Sequence, residues 1–250
     1  MEVELIIYGA VMLVAMTLAG VIGFAANVLA LPVLSLFLPL KTAVAVLMLI
    51  VAVQIVIQAW MYRKKIHWRE VGQTVIWMII GMPIGFVALN YLPELIMKAV
   101  LGLFVAGTAL KGIIDDARGK KQGTFQERPY HKLLLFFSGL LTGAFGCGGP
   151  LMVVYCRNRY RDKETFRMMQ FGAGSIVMTL PCLAYAASGA YTAQGVPYVV
   201  VGFVAVAVAL KASAAIARRM NTAIFQQLVN VVLLISAATL LWQVVSGLMA

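Results

Sequence analysis

Leu133-Leu-Leu-Phe-Phe-Ser-Gly-Leu-Leu-Thr-Gly-Ala-Phe-Gly146-Cys-Gly-Gly-Pro150-Leu-Met-Val-Val-Tyr155 is an apolar run broken near its middle. The arm before the break is about thirteen residues and the arm after it shorter still, whereas a helix rising 1.5 Å per residue needs about twenty to cross ~30 Å of hydrocarbon. Glycines permit backbone conformations closed to other residues and let another group approach the main chain. Pro150 suits the first turn of a new helix, where its missing N–H costs nothing. The stretch therefore reads as two short helices meeting at a break. At membrane depth such a break survives only where protein buries it or water reaches it.

The rest of the chain supplies the membrane. Of 250 residues, 62% are hydrophobic and 12% charged, and the charges fall in short gaps between apolar runs. Thr42–Tyr62, Val71–Asn90, Phe166–Ala187, Pro197–Ala217 and Thr222–Ser246 contain no acidic residue. The sequence predicts an all-α polytopic membrane protein of one domain, 1–250, with no polar stretch long enough to fold separately. Met1-Glu-Val-Glu-Leu5 is acidic where a cleaved secretory signal is basic, so the first apolar run is expected to be retained. A net charge of +11 fits Lys- and Arg-rich cytoplasmic loops and leaves nucleic acid without support. Cys147, Cys156 and Cys182 form neither a zinc spacing nor a disulfide framework. No cofactor and no metal are expected.

Charge decides the topology. Leu5–Phe24, followed by Ala25-Ala26-Asn27 and a short run to Leu38, is broken like the stretch at Gly146. If each broken region crossed once, eight spans would divide Lys and Arg ten to ten between the two sides, against the positive-inside rule. With the two broken regions re-entrant, six spans remain and the split becomes eighteen to two, only Lys41 and Lys98 lying opposite the rest. Both termini then lie outside. Each half is a broken helical hairpin plus three crossings, an odd number, so the halves are inverted: repeat 1 about 1–115, a cytoplasmic linker about 116–131, repeat 2 about 132–250. Gly20-x-x-Gly23 aligns with Gly143-x-x-Gly146. Gly81-x-x-x-Gly85 aligns with Ala209-x-x-x-Ser213, a small-residue spacing that lets membrane helices approach closely. Inverted repeats with interrupted helices are an architecture of secondary transporters.

Candidate ligand contacts follow from the breaks. Gly146, Cys147, Gly148 and Gly149 open a helix whose free amides and positive dipole end attract an anion; tight helix packing is the competing role for these glycines. No Lys-Ser or Lys-Thr follows Gly149, so this is not a nucleotide phosphate loop. Asn27, at the matching place in the first half, can cap the second arm or face a ligand. Gln54 and Gln58 lie four apart on one face of a span, and Gln170 and Thr179 occupy a comparable stretch of the second half. Interhelical hydrogen bonding is the alternative use of such side chains. No Asp, Glu or His falls in the middle of a span, so no proton relay is visible. Moving one negative charge out through a 100 mV inside-negative potential gains about 2.3 kcal/mol, roughly fiftyfold accumulation. Anion export can run without a proton; uptake cannot.

The chain resembles the TauE/SafE family of sulfite and organosulfonate exporters over essentially its whole length. Gly139-Leu-Leu-Thr-Gly-Ala-Phe-Gly-Cys-Gly-Gly-Pro-Leu-Met152 is similar to the family's glycine-rich stretch opening the second half. Leu18-Ala-Gly-Val-Ile-Gly23 leading to Leu31-Pro32 resembles the stretch in the first half, and Met61-Tyr-Arg-Lys-Lys-Ile-His-Trp-Arg69 the basic loop after the next helix. Ala25, Ala26 and Asn27 stand where the family has further glycines, which shifts the expected site toward the second loop. The resemblance implies a transporter, not an enzyme, in a bacterial inner membrane, its cargo a small sulfur-containing anion such as sulfite, a sulfonate, sulfoacetate or thiosulfate. The rival readings are a proton-coupled importer, a membrane-embedded sulfur-handling enzyme and a partner subunit without transport. Besides the lipid bilayer and the anion, further copies of the chain remain open as partners.

Overall fold

Two glycines with left-handed backbone end two helices and create the breaks. Gly23 has φ +99° and Gly146 φ +69°, and their N–H groups close the last turns on Ala19 O and Thr142 O at 2.7 and 2.9 Å. A left-handed residue just past a helix is the common way to stop it, and glycine adopts that conformation without a Cβ penalty. The computed structural model describes residues 2–24, 26–34, 36–91, 129–146, 148–160 and 162–249, with scattered residues between 95 and 114. Among the described residues the helices are α1 (Glu2–Ile22), α2 (Ala26–Leu34), α3 (Leu40–Met61), α4 (Trp68–Tyr91), α5 (Pro129–Phe145), α6 (Gly149–Arg159), α7 (Lys163–Ala187), α8 (Val196–Arg219) and α9 (Thr222–Met249), and there is no strand.

Five of these stretches are long and apolar enough to cross a membrane: Glu4–Ile22, Thr42–Met61, Trp68–Val87, Lys163–Ala187 and Ala193–Arg219. The first lies in α1, where the sequence predicts one arm of a re-entrant hairpin. The two broken regions therefore differ. Helix α1 has 21 residues against nine in α2, whereas α5 and α6, with 17 and 11, are both short. The third crossing expected in the first half, and linker residues 116–128, lie outside the described residues apart from scattered helical positions. Helix α5 already begins at Pro129, inside the stretch read as linker.

The basic residues gather at one end of the bundle. Lys65 pairs with Glu164 at 2.5 Å, Arg159 lies 3.5 Å from Glu70, and Tyr160 donates to the same carboxylate. Lys163 donates to Ala217 O and Met220 O. The 63–70 loop, the 157–164 segment and the end of α8 are thus together, which an eight-span path placing 63–69 and 157–167 on opposite faces forbids.

Helices α3 and α7 form the centre: 78% and 56% of their membrane-length stretches are buried, against 28% for the stretch ending in α8. Around them α1 packs along α8, and α5 along α4. In lipid nothing hydrophobic drives helices together, so closeness of packing carries the association. At the α4–α5 crossing the fit is backbone to backbone. A Cβ on Gly81, Gly85, Gly139 or Gly143 would lie 2.1, 1.8, 1.9 or 2.1 Å from Phe136 O, Leu140 O, Met78 O or Met82 O respectively. Gly143 is therefore a packing residue. On the outward faces of α4 and α8, Ile76, Ile80, Ile84, Val200, Val204 and Val208 are exposed, as a lipid-facing surface requires.

Candidate functional site

The tips of the two hairpins touch. Asn27, in the first turn of α2, donates through Nδ2 to Gly146 O at 2.7 Å. A Cβ on Gly149 would lie 2.8 Å from that of Phe24. Each tip also presses on a central helix: a Cβ on Gly23 would meet Gln170 Cβ at 2.4 Å, and one on Gly146 would meet Met48 at 3.1 Å. Asn27, expected as a cap, lies inside α2, after its first residue, and bridges the hairpins.

Between the tips lies a cavity of about 50 Å³, several times the roughly 10–15 Å³ that admits one water. Asn27, Gln54, Gln58, Gly146, Gly149 and Gln170 line it, as do Gly23, Thr142 and Gly174. Of the residues expected at a site, Gly148 and Thr179 do not line it, and Cys147 lies outside the described residues. Gly148 is held for another reason: a Cβ there would sit 2.0 Å from both Ser138 O and Thr142 Oγ1. The Thr179 hydroxyl bonds Ser175 O of its own helix at 2.6 Å. The sequence weights the second loop, whereas residues of both tips wall the cavity.

The four amide side chains are at most 5% exposed, and a buried amide needs partners. Some of their capacity is spent on the backbone of α1. Gln54 Nε2 donates to Met16 O at 2.8 Å and Gln58 Nε2 to Gly20 O at 3.4 Å. Near the end of α5, Tyr185 donates to Ala144 O at 3.1 Å and Ser138 to Gly148 O at 2.7 Å. Other capacity is unspent: Asn27 Oδ1, Gln54 Oε1 and Gln170 Nε2 have no protein partner. Helix α6 opens at this cavity with Gly148 at its N-cap and no side-chain cap, leaving its first amides without intrahelical partners. The arrangement offers a small group both donors and acceptors in a site walled by apolar side chains such as Val51 and Val177.

Sequence reading missed Arg167. It is 8% exposed, donates from Nη2 to Gly20 O at 3.1 Å, and lies against the Phe171 and Tyr62 rings at 5.3 and 5.9 Å. Its place one turn from the basic end hid it among residues that set topology.

At the same basic end, burial and a hydrogen bond to Glu70 push the Tyr160 phenol above its ordinary value. It remains a neutral donor to that carboxylate. No group of three or more His, Cys, Asp or Glu able to hold a metal occurs among the described residues.

The family model for the sulfite exporter TauE/SafE matches residues 8–240. No curated protein and no solved structure matches the chain. The match runs through both hairpins, the central helices and the cavity between them, and the chain belongs to the TauE/SafE sulfite exporter family.

Proposed function

We propose that the cavity between the hairpin tips is the substrate site of an exporter for a small sulfur-containing oxyanion, set in a bacterial inner membrane with the basic end in the cytoplasm and both termini outside. The carrying observation is the Asn27–Gly146 bond, which places two helix breaks on one buried polar cavity. The uncapped start of α6 provides partial positive charge there. Unspent acceptors on Asn27 and Gln54 beside an unspent donor on Gln170 match an oxyanion that brings its own proton or a water, such as a protonated sulfite or a hydrated sulfonate.

The packing supports two inverted halves. Helix α1 lies on α8 as α5 lies on α4, and the left-handed glycines of the two tips press on α7 and α3 in turn. Rocking of one half against the other would expose the cavity alternately to each side.

Export is favoured over proton-coupled uptake because, among the described residues, no carboxylate or imidazole lines the cavity, so the membrane potential supplies the driving force. Purified protein in proteoliposomes tests this with sulfite, thiosulfate, taurine, sulfoacetate and an uncharged control, at imposed potentials with and without a pH gradient. Saturable flux of at least one anion, directed by the potential and indifferent to the proton gradient, is expected. Uphill sulfonate flux sustained by protons against the potential would overturn the export reading, and turnover of the anion without flux would favour an enzyme.

A further inference from the structure

Arg167 is a buried cation that makes no close ion pair among the described residues, Glu164 acting on it only from a distance. Among the described residues no carboxylate pairs with it, and Glu164, one turn before it, is engaged by Lys65. Its Nε has no partner, and of its five N–H donors some are spent on Gly20 O and on the Tyr62 side chain. Arg157, equally buried, differs in having Asn230 as its acceptor. A charge without a close ion pair within a membrane-length helix is costly and marks a functional position.

Its neighbours connect it to the cavity. Gly20 O, which Arg167 holds, also receives Gln58 Nε2, and Gln58 lines the cavity. Gln170, three positions along α7 and so on the same face, lines it too. On the opposite side of Arg167, α7 runs toward Lys163 and the basic end. The guanidinium therefore stands between the basic end and the cavity, its flanks on two aromatic rings.

We propose that Arg167 is an anion-binding station on the cytoplasmic approach, where an oxyanion takes the guanidinium fork from Gly20 O before entering the cavity. The proposal rests on the transport reading above. A planar fork of N–H groups suits a tetrahedral oxyanion in a bidentate pose. Handing the fork to the anion leaves the Gly20 carbonyl, in the last turn of α1, with Gln58 as its remaining side-chain donor, so arrival of substrate and loosening of the first hairpin become one event.

The test measures half-saturation for thiosulfate and methanesulfonate in proteoliposomes carrying wild type, Arg167→Gln or Arg167→Lys, each reconstituted in equal folded amount. Arg167→Gln is expected to raise half-saturation at least tenfold, and Arg167→Lys, which keeps the charge without the fork, to recover part of that. In parallel, phenylglyoxal modification of Arg167 in the wild-type protein is followed by peptide mass spectrometry. Saturating thiosulfate is expected to slow it several-fold, while an uncharged sulfoxide does not. Wild-type flux with unchanged half-saturation in Arg167→Gln overturns the station and leaves the transport reading standing. If that variant does not fold, unprotected modification at Arg167 in transporting wild type overturns it equally. Wild type that carries none of the sulfur anions overturns the transport reading and the station together.

Discussion

Asn27 and Gly146 are joined by a 2.7 Å hydrogen bond from a side-chain amide to a backbone carbonyl, across two hairpins far apart in sequence. The carbonyl belongs to the left-handed residue that ends α5 and is buried. Replacing Asn27 with Ala leaves it without that donor, at a cost of about 1–3 kcal/mol. Asn27→Ala is expected to lower the melting temperature of the purified protein and cut flux strongly. Asn27→Asp adds a negative charge to the proposed anion site and is expected to abolish flux. Fluorescence-detected melting and proteoliposome assays check both.

Three of the polar residues read from the sequence separate into two kinds. Gln54→Leu and Gln170→Leu remove lining amides, and each is expected to raise half-saturation about tenfold, equivalent to roughly 1.4 kcal/mol. Thr179→Val removes a hydroxyl that bonds its own helix and is expected to change half-saturation less than twofold. Equal effects at all three positions would displace the site from the cavity.

Glycine at the breaks is needed for two reasons. Gly146→Ala forces an L side chain into φ +69° and against Asn27 Nδ2 at 2.5 Å, the backbone part alone costing roughly 1–2 kcal/mol. Gly72, with nothing within 4 Å of an added Cβ, is the control, and Gly72→Ala is expected to transport normally. Flux per folded molecule in the two variants is the measurement.

Sidedness follows from the clustered basic end. Single cysteines at Lys64 and Arg218, in a background lacking Cys147, Cys156 and Cys182, are expected to label from the same side with a membrane-impermeant maleimide. A cysteine at Gln194, in the turn before α8, is expected to label from the other side. Labelling of Lys64 and Arg218 from opposite sides would contradict the Lys65–Glu164 and Lys163–Met220 contacts.

Both helix breaks could be read from glycine and chain length, because a membrane-length run interrupted by Gly146 and Pro150 has few other outcomes. The buried amides were legible for a related reason: Asn27, Gln54, Gln58 and Gln170 are polar groups in apolar stretches, and each must find a partner. Sequence could not separate Gly148 from Gly149. Adjacent and identical, they differ only in that one faces Ser138 and the other Phe24. Thr179 looked polar enough, but a helical hydroxyl can satisfy itself on its own backbone. Arg167 was obscured by neighbours of the same charge, and its burial emerges only when α1, α3 and α7 are assembled around it.

The interlocked glycines of α4 and α5 bear on how the protein is made. Helix α4 leaves the ribosome well before α5, and the surface around Gly81 and Gly85 must wait in the bilayer for Gly139 and Gly143 to arrive. Helix α1 waits longer still for α8, with Gly20 fitted against Ser213. Neither half holds the partner of its own first arm. A chain cut within 116–128 and expressed as two fragments should therefore yield a working pair when both are made together, and two proteolysed orphans when they are made apart.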